Sequence, residues 1–304
     1  MAKNLTTSIL FALFAIQLCA QYQIGLIPRV SPDKKIYQKI GFTEVEIEYG
    51  SPSVEGRKVW GDLEPFDEVW RAGANDATRI SFSLPVTINN AILDSGTYAL
   101  FIIPRDNQRW TVIFNKESDQ WGSFRYNSDQ DVLRLNVVPK ATEYLKEELK
   151  YSIQHFGYQD GSVVLNWERV EIEIPFETNY IEELKRTVET RAESLEDRLG
   201  WVAYLQGAEH LQQINQELSI ALEWVDRAET IMQTLDIANE KYYSNGYVVG
   251  HLYWTKAKIL AATNDKTRAF EYAEKMIDLP NSPYYKSNKE TENIDNLISS
   301  WSER

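Results

Sequence analysis

Apolar and polar residues alternate strictly along "TEVEIEY", residues 43–49. Val45, Ile47 and Tyr49 fall on one face, Glu44, Glu46 and Glu48 on the other, which is the period of a half-buried strand. "RISFSLPVTIN", "GTYALFIIP", "RWTVIFN", "DVLRLNVVP", "LKYSIQHF", "SVVLNWERV" and "EIEIP" continue the series to Phe176, separated by turn residues. Roughly eight to ten short strands spaced in this way predict an antiparallel β-sandwich or jelly roll. No stretch between them has the pattern of a crossover helix, which argues against a parallel sheet.

After Pro175 the period changes. Ile181, Leu184, Val188, Ala192, Leu195, Leu199, Val202 and Leu205 recur every three or four residues, as one face of a helix does. Gly200 is the expected break of this run into two helices. Leu218, Ala221, Leu222, Val225, Ala228, Ile231 and Leu235 repeat the pattern, and Tyr253 to Met276 reads as a helix pair with "TNDK" as its turn. Pro280 and Pro283 stop it, and a last short helix ends at Trp301. The boundary between the two periods falls between Phe176 and Ile181. The fold class is α+β in separate domains: a lead segment over 21–42, a β-sandwich over 43–178 and an all-α domain over 179–304.

The first twenty residues stand outside this scheme. Lys3, an apolar run from Ile9 to Ile16 and Ala20 before Gln21 form a secretory signal peptide, with cleavage expected after Ala20. The run is short for a bilayer span, and no other stretch offers a transmembrane segment. A lipid anchor on Cys19 is the minor alternative, because Ile16 stands three before it; Leu18 is large for the position next to such a cysteine. Cys19 is the one cysteine, so the cleaved chain relies on its core and not on disulfides. The expected location is the periplasm or cell envelope.

A net charge of −13 with no Lys/Arg run argues against generic nucleic-acid binding. Three histidines, at 155, 210 and 251, have no metal-site spacing among them. No G-x-S-x-G elbow, H-E-x-x-H helix, P-loop or G-x-G-x-x-G turn is present. Neither a metal nor a cofactor is expected.

Two phrases carry candidate chemistry. In "VWRAGANDAT", Gly73 and Ala74 permit a tight turn that Asn75 or Asp76 can cap, while Arg71 can fork onto a carboxylate. One reading makes this loop a staple, with Trp70 anchored in the core and Arg71 paired internally. The other makes Arg57, Arg71, Asn75 and Thr78 the rim of a pocket for an anionic or sugar-like ligand, with Trp60 or Trp70 as its floor. Lys116 and Trp121, in "NKESDQWGSF", are the second candidate, against a solvated lysine and a packing tryptophan.

"SPSVEGRKVWGDLEPFDEVWRAGANDATRISFS", "DSGTYALFIIP", "WTVIFNK", "WG" and "LNWERVEIEIPF" together resemble an exported bacterial family filed as domain of unknown function 2911, over about residues 32–176. The resemblance implies helical repeats after the domain and assigns no chemistry. "YWTKAKILAATNDKTRAFEYAEKMIDLP" resembles a tetratricopeptide unit, with small Ala257 and Ala269 where two helices approach and a proline after the second. Asn264, Met276 and an early Pro280 depart from that pattern and imply a degenerate pair of repeats. The leading functional expectation is a non-catalytic binding or scaffolding protein, with a small ligand at the sandwich loops and a protein or peptide partner on the helices. The alternative is a hydrolase acting on carbohydrate or another envelope substrate through Asp or Glu in those loops. A third reading leaves the loops purely structural and puts all binding on the helices.

Overall fold

The computed structural model describes residues 28–106, 108–235 and 246–302. The signal peptide expected over 1–20, with Cys19 and Ala20, lies outside them. The chain divides into two compact units, one ending at Tyr180 and the other beginning at Ile181.

The first unit is built of antiparallel sheets. Its strands are β1 (Asp33–Ile40), β2 (Thr43–Gly50), β3 (Ala74–Phe82), β4 (Val86–Ile88) and β5 (Ala91–Leu93), followed by β6 (Gly96–Ile103), β7 (Trp110–Asn115), β8 (Asp131–Val137), β9 (Lys140–Phe156) and β10 (Asp160–Thr178). They form a six-stranded sheet in the order β1-β2-β3-β6-β7-β8 and a four-stranded sheet in the order β5-β4-β10-β9. One buried cluster takes side chains from both sheets. Ile47, Leu100, Val112 and Phe114 come from the first, Leu149, Leu165, Trp167 and Ile174 from the second. The alternation of "TEVEIEY" is therefore a one-sided burial pattern, with Val45, Ile47 and Tyr49 inward.

Two local expectations in the sheet unit are corrected by the structure. Residues 33–40, placed in the lead segment, form β1 and pair with β2 along their whole length. Three lysines and a glutamine mask its period; charged residues on an edge strand also discourage pairing with other chains. "SVVLNWERV" and "EIEIP" are one strand, β10, which bends at Glu168, a non-glycine residue at φ 55°. Strand β7 is buried on both faces because a smaller cluster of Ala77, Ala99, Phe101 and Ile113, capped by Val69 and Tyr126, covers the outer side of its sheet.

The second unit is helical: α1 (Tyr180–Ser194, its first residue still in the sheet unit), α2 (Glu196–Gln213), α3 (Leu218–Thr234), α4 (Tyr247–Ala262), α5 (Lys266–Ile277), α6 (Pro283–Asn288) and α7 (Ile294–Ser302). The break in the first apolar run falls at Leu195 and not at Gly200, which lies inside α2. A Cβ on Gly200 would stand 2.9 Å from the Ala192 carbonyl oxygen, so the glycine serves a close approach and not a helix end. Between α4 and α5, Asn264 takes the left-handed turn conformation and Asp265 caps the Arg268 N–H at 3.2 Å. Lys256 of α4 is buried. It pairs with Asp226 at 2.7 Å and with Glu229, both on α3, and donates to the Tyr272 hydroxyl of α5 at 2.7 Å.

Gly50 marks the point where β2 and β3 fall out of register. A Cβ there would lie 2.2 Å from the Ala74 carbonyl oxygen, a backbone atom that cannot swing aside. Gly50→Ala should cost roughly 1–3 kcal/mol by overpacking. Urea denaturation measures it; an unchanged midpoint would show that the two strands can part at no cost.

Candidate functional site

The loop from Ser51 to Gly73 joins β2 to β3 and is pinned to the sheets at several points. Val54 N–H donates to the Glu147 carbonyl of β9 at 2.8 Å, Asp67 N–H to the Pro104 carbonyl at 2.8 Å, and Trp70 exchanges two backbone bonds with Ile102 of β6. These bonds meet the backbone demand where this partly exposed loop crosses the sheets. They also fix where its two tryptophans enter the core.

Trp60 and Trp70 meet Trp110 of β7 and Trp167 of β10. Trp70 stacks on Trp167 with centroids 5.8 Å apart, and Trp60 stands edge-on to Trp70, Trp110 and Trp167 at 5.4, 4.7 and 5.6 Å. The Trp70 N–H donates to the Gly73 carbonyl at 3.1 Å and the Trp110 N–H to the Arg105 carbonyl at 2.8 Å. The indole nitrogens of Trp60 and Trp167 are buried without a hydrogen-bond partner. Each such donor costs about 1–3 kcal/mol, which burial of the large rings offsets.

Glu64 lies beside this cluster, in the turn where its N–H donates to the Val59 carbonyl and its carbonyl accepts from Gly61 N–H, both at 2.9 Å. Burial pushes its carboxyl up to about 7, against the pull of Arg71, the Trp70 indole and Arg57. Arg57 is committed to its own loop, donating to the Val54 and Ser53 carbonyls at 3.0 and 2.5 Å. Arg71 is half-buried, with its Nε enclosed and unpartnered.

The other expected residues lie elsewhere. Thr78 is fully buried and its hydroxyl donates to the Ala72 carbonyl at 2.9 Å, an acceptor shared with the Tyr151 hydroxyl at 2.8 Å. Those two bonds hold Ala72 at φ 54°. Asn75 donates to the Ser31 carbonyl at 2.9 Å and to Asp33 at 3.2 Å, tying the start of β1 down. Lys116 is exposed at the end of β7. Trp121 is 54% exposed and stacks on Phe124, and its loop is held against β3 by Gly122 N–H donating to the Asn75 carbonyl at 3.0 Å. Arg57, Trp60, Trp70 and Arg71 thus gather around Glu64, whereas Asn75, Thr78, Lys116 and Trp121 do not join them.

Outside the tryptophan cluster a groove of about 570 Å³ opens to solvent. Its apolar lining includes Trp60, Phe66, Trp110, Val138, Ala141 and Val170, and its polar lining Arg105, Asp106, Gln108, Arg109 and Lys140. Of the expected residues it takes Trp60. Arg105 is held by Asp67 at 3.4 Å and by the Thr111 hydroxyl at 2.7 Å, and Lys140 by Glu173 at 2.7 Å. A second hollow, of about 310 Å³, is lined by Arg29, Asp76, Lys34, Glu48 and Arg79 among others. Its cations are already paired: Arg29 with Asp76, Lys34 with Glu148 and Arg79 with Glu48.

Sequence reasoning missed Arg105, Arg109 and Lys140, which sit in a hairpin and at a strand start far from the loop in sequence. "PRDNQRW", two arginines in a turn between two core strands, was the available signal. Glu64 had none, being one carboxylate among 45 acidic residues.

Residues 31–176 match the model of a family described as "Protein of unknown function (DUF2911)". No curated protein and no solved structure matches the chain.

Because burial favours the neutral form of Glu64, the folded state holds that proton after the unfolded chain has lost it. Stability should therefore fall as pH rises from about 4.5 to 7, by up to about 3 kcal/mol, and then level off. Glu64→Gln should be more stable than the parent at pH 8, with the difference vanishing below pH 4.5. Melting curves across this range check it, and a variant less stable at every pH would refute the buried-acid account.

Proposed function

We propose that the protein is an exported, non-catalytic binding protein of the periplasm or cell envelope. In this reading the sheet unit is a β-sandwich that holds a small ligand at one end, and the helical unit is a tetratricopeptide-like scaffold. The observation that carries it is the groove beside the tryptophan cluster, with aromatic rings in its lining and cationic side chains around them. Concave, largely apolar sites with a few polar groups are what small ligands occupy. The rings are backed by packed core, so the apolar wall is preformed and its ordering is not a cost of binding.

The hydrolase alternative has less support. A glycosidase-like couple needs two carboxyl groups across a cleft, and among the described residues the lining of this groove includes one, Asp106. Glu64, with its raised pKa, does not line it. On the helical unit, fully buried Ala221, Ala228, Ala257 and Ala269 let helices approach closely, as in repeat scaffolds. A surface hollow of about 620 Å³ lined by Tyr204, Leu222, Glu223, Asp226, Arg227 and Ile231 suits a peptide partner. Among the described residues no helix is long and apolar enough to cross a membrane.

The test is a thermal-shift screen of small anions and sugars on the full chain, repeated on Ala141→Trp. Ala141 is exposed in the groove lining, so the substitution fills the groove and should alter stability by no more than about 0.5 kcal/mol. A ligand at a hundred times its Kd should stabilise the parent by about 2.7 kcal/mol and leave the variant unmoved. Hits that stabilise both proteins equally would place binding elsewhere.

A further inference from the structure

Strand β9 loses step with β10 at the edge of the groove. Lys146 pairs with Glu168 and Ala141 with Val170, so Arg169 alone on β10 spans residues 142–145 on β9. The surplus residues bulge out of the sheet. Arg169 clasps the bulge by donating from Nη1 to the Glu143 carbonyl at 2.6 Å, and its own N–H donates to the Glu168 carboxylate at 2.7 Å. The Thr142 hydroxyl donates to the Tyr144 carbonyl at 3.1 Å. Glu168 takes its left-handed conformation opposite this point. The bulge is thus internally bonded and paired with a strained residue, as bulges that re-aim side chains beside binding sites are.

What it carries outward is apolar. Tyr144 is 69% and Leu145 47% exposed, and Val138, in the groove lining just before β9, is exposed as well. Lys140 and Ala141 on one side of the bulge, and Val170 across from it, line the groove. An aromatic and a branched aliphatic residue held in solvent next to an apolar groove are what a covering element presents before its ligand arrives.

Charge narrows the ligand. Among the described residues of the lining, Arg105, Arg109 and Lys140 meet one acid, Asp106, on a chain whose net charge is −13. Asp67 and Glu173 already hold Arg105 and Lys140. Arg109 is exposed on the β6–β7 hairpin and, among the described residues, forms no ion pair, so it is free to meet an incoming group.

We propose that the groove takes a small molecule with a flat apolar body and one anionic group. The body lies against Trp60, Phe66 and Trp110, the anion meets Arg109, and the 142–145 bulge covers the molecule through Tyr144 and Leu145. This rests on the reading of the groove as the ligand site and adds the ligand's chemical class and the residues that select it.

Two dyes that differ chiefly in charge test it on the full chain: anilinonaphthalene sulfonate and uncharged phenylnaphthylamine, titrated by fluorescence. The binding that counts is the part abolished by Ala141→Trp. Arg109→Ala should weaken that part for the sulfonate by about fivefold or more, as loss of a charge-assisted contact does, and leave phenylnaphthylamine unchanged. The double variant Tyr144→Ser/Leu145→Ser should weaken both dyes by about three- to tenfold, as loss of an aromatic cover does. All these side chains are exposed, so unchanged melting temperatures confirm that folding is intact. If Ala141→Trp leaves dye binding untouched, the groove is not the ligand site and both readings fall. If it abolishes binding while the Arg109 and Tyr144/Leu145 variants bind like the parent, the groove stands and the class and cover assigned here are wrong.

Discussion

The packing of four tryptophans against one another is the contact on which the sheet unit depends. Trp167 comes from the four-stranded sheet, Trp110 from the six-stranded one, and Trp60 and Trp70 from the loop between β2 and β3. A single cluster therefore joins both sheets and the longest irregular segment between strands β2 and β3. Each aromatic pair contributes about 0.5–1.5 kcal/mol beyond its burial. The contacts are long-range in sequence, so their loss releases the loop as well as opening the core. Trp60 and Trp167 are held by ring packing with their indole nitrogens unpartnered, while Trp70 and Trp110 add one hydrogen bond each.

That constraint also shapes the groove. Trp60 and Trp110 back the groove while staying almost wholly buried, because their other contacts hold them in the core, and the hairpin bearing Arg105 and Arg109 is fixed by the Arg105 carbonyl accepting from Trp110. Glu64 pays for the same packing. Its carboxyl is drawn into the cluster by the turn it closes, and burial outweighs the nearby guanidinium groups. The loop "WRAGANDAT" is divided by function: Trp70 and Thr78 hold the core and the turn, Asn75 holds β1, and Arg71 faces Glu64's field with its Nε enclosed.

The helical unit follows a different rule. Its core is made by small residues that let helices approach, Ala257 and Ala273 beside Trp254 and Met276 among them. A buried cation then ties three helices together. Lys256 has its pKa raised although burial works against it, because Asp226, Glu229 and Tyr272 all bond to it. Removing Lys256 would leave Asp226 and Glu229 without their shared cation, so this unit draws specificity from polar contacts where the sheet unit draws it from ring packing.

The sequence by itself determined the two kinds of secondary structure and the point at which one gives way to the other. Periods of two and of three-to-four are written in consecutive residues and need no partner to be read, as with Val45, Ile47 and Tyr49 or Ala221 and Ala228. It also determined the family resemblance of the sheet region, since the phrases that carry it are contiguous. It missed β1, whose lysines obscure the alternation, and it joined residues near in sequence, Arg71 with Asn75 and Thr78, that the backbone turns to separate tasks. Only the tertiary structure decided that Trp60 would meet Trp110 and Trp167, that Arg109 and Lys140 would share a groove with it, and that the surplus residues of β9 would bulge at its edge. Those facts depend on strand order and register between segments tens of residues apart, and a one-residue slip in register exchanges the faces on which side chains lie. Local pattern fixes which face of an element is apolar; which other elements meet that face is set by packing alone.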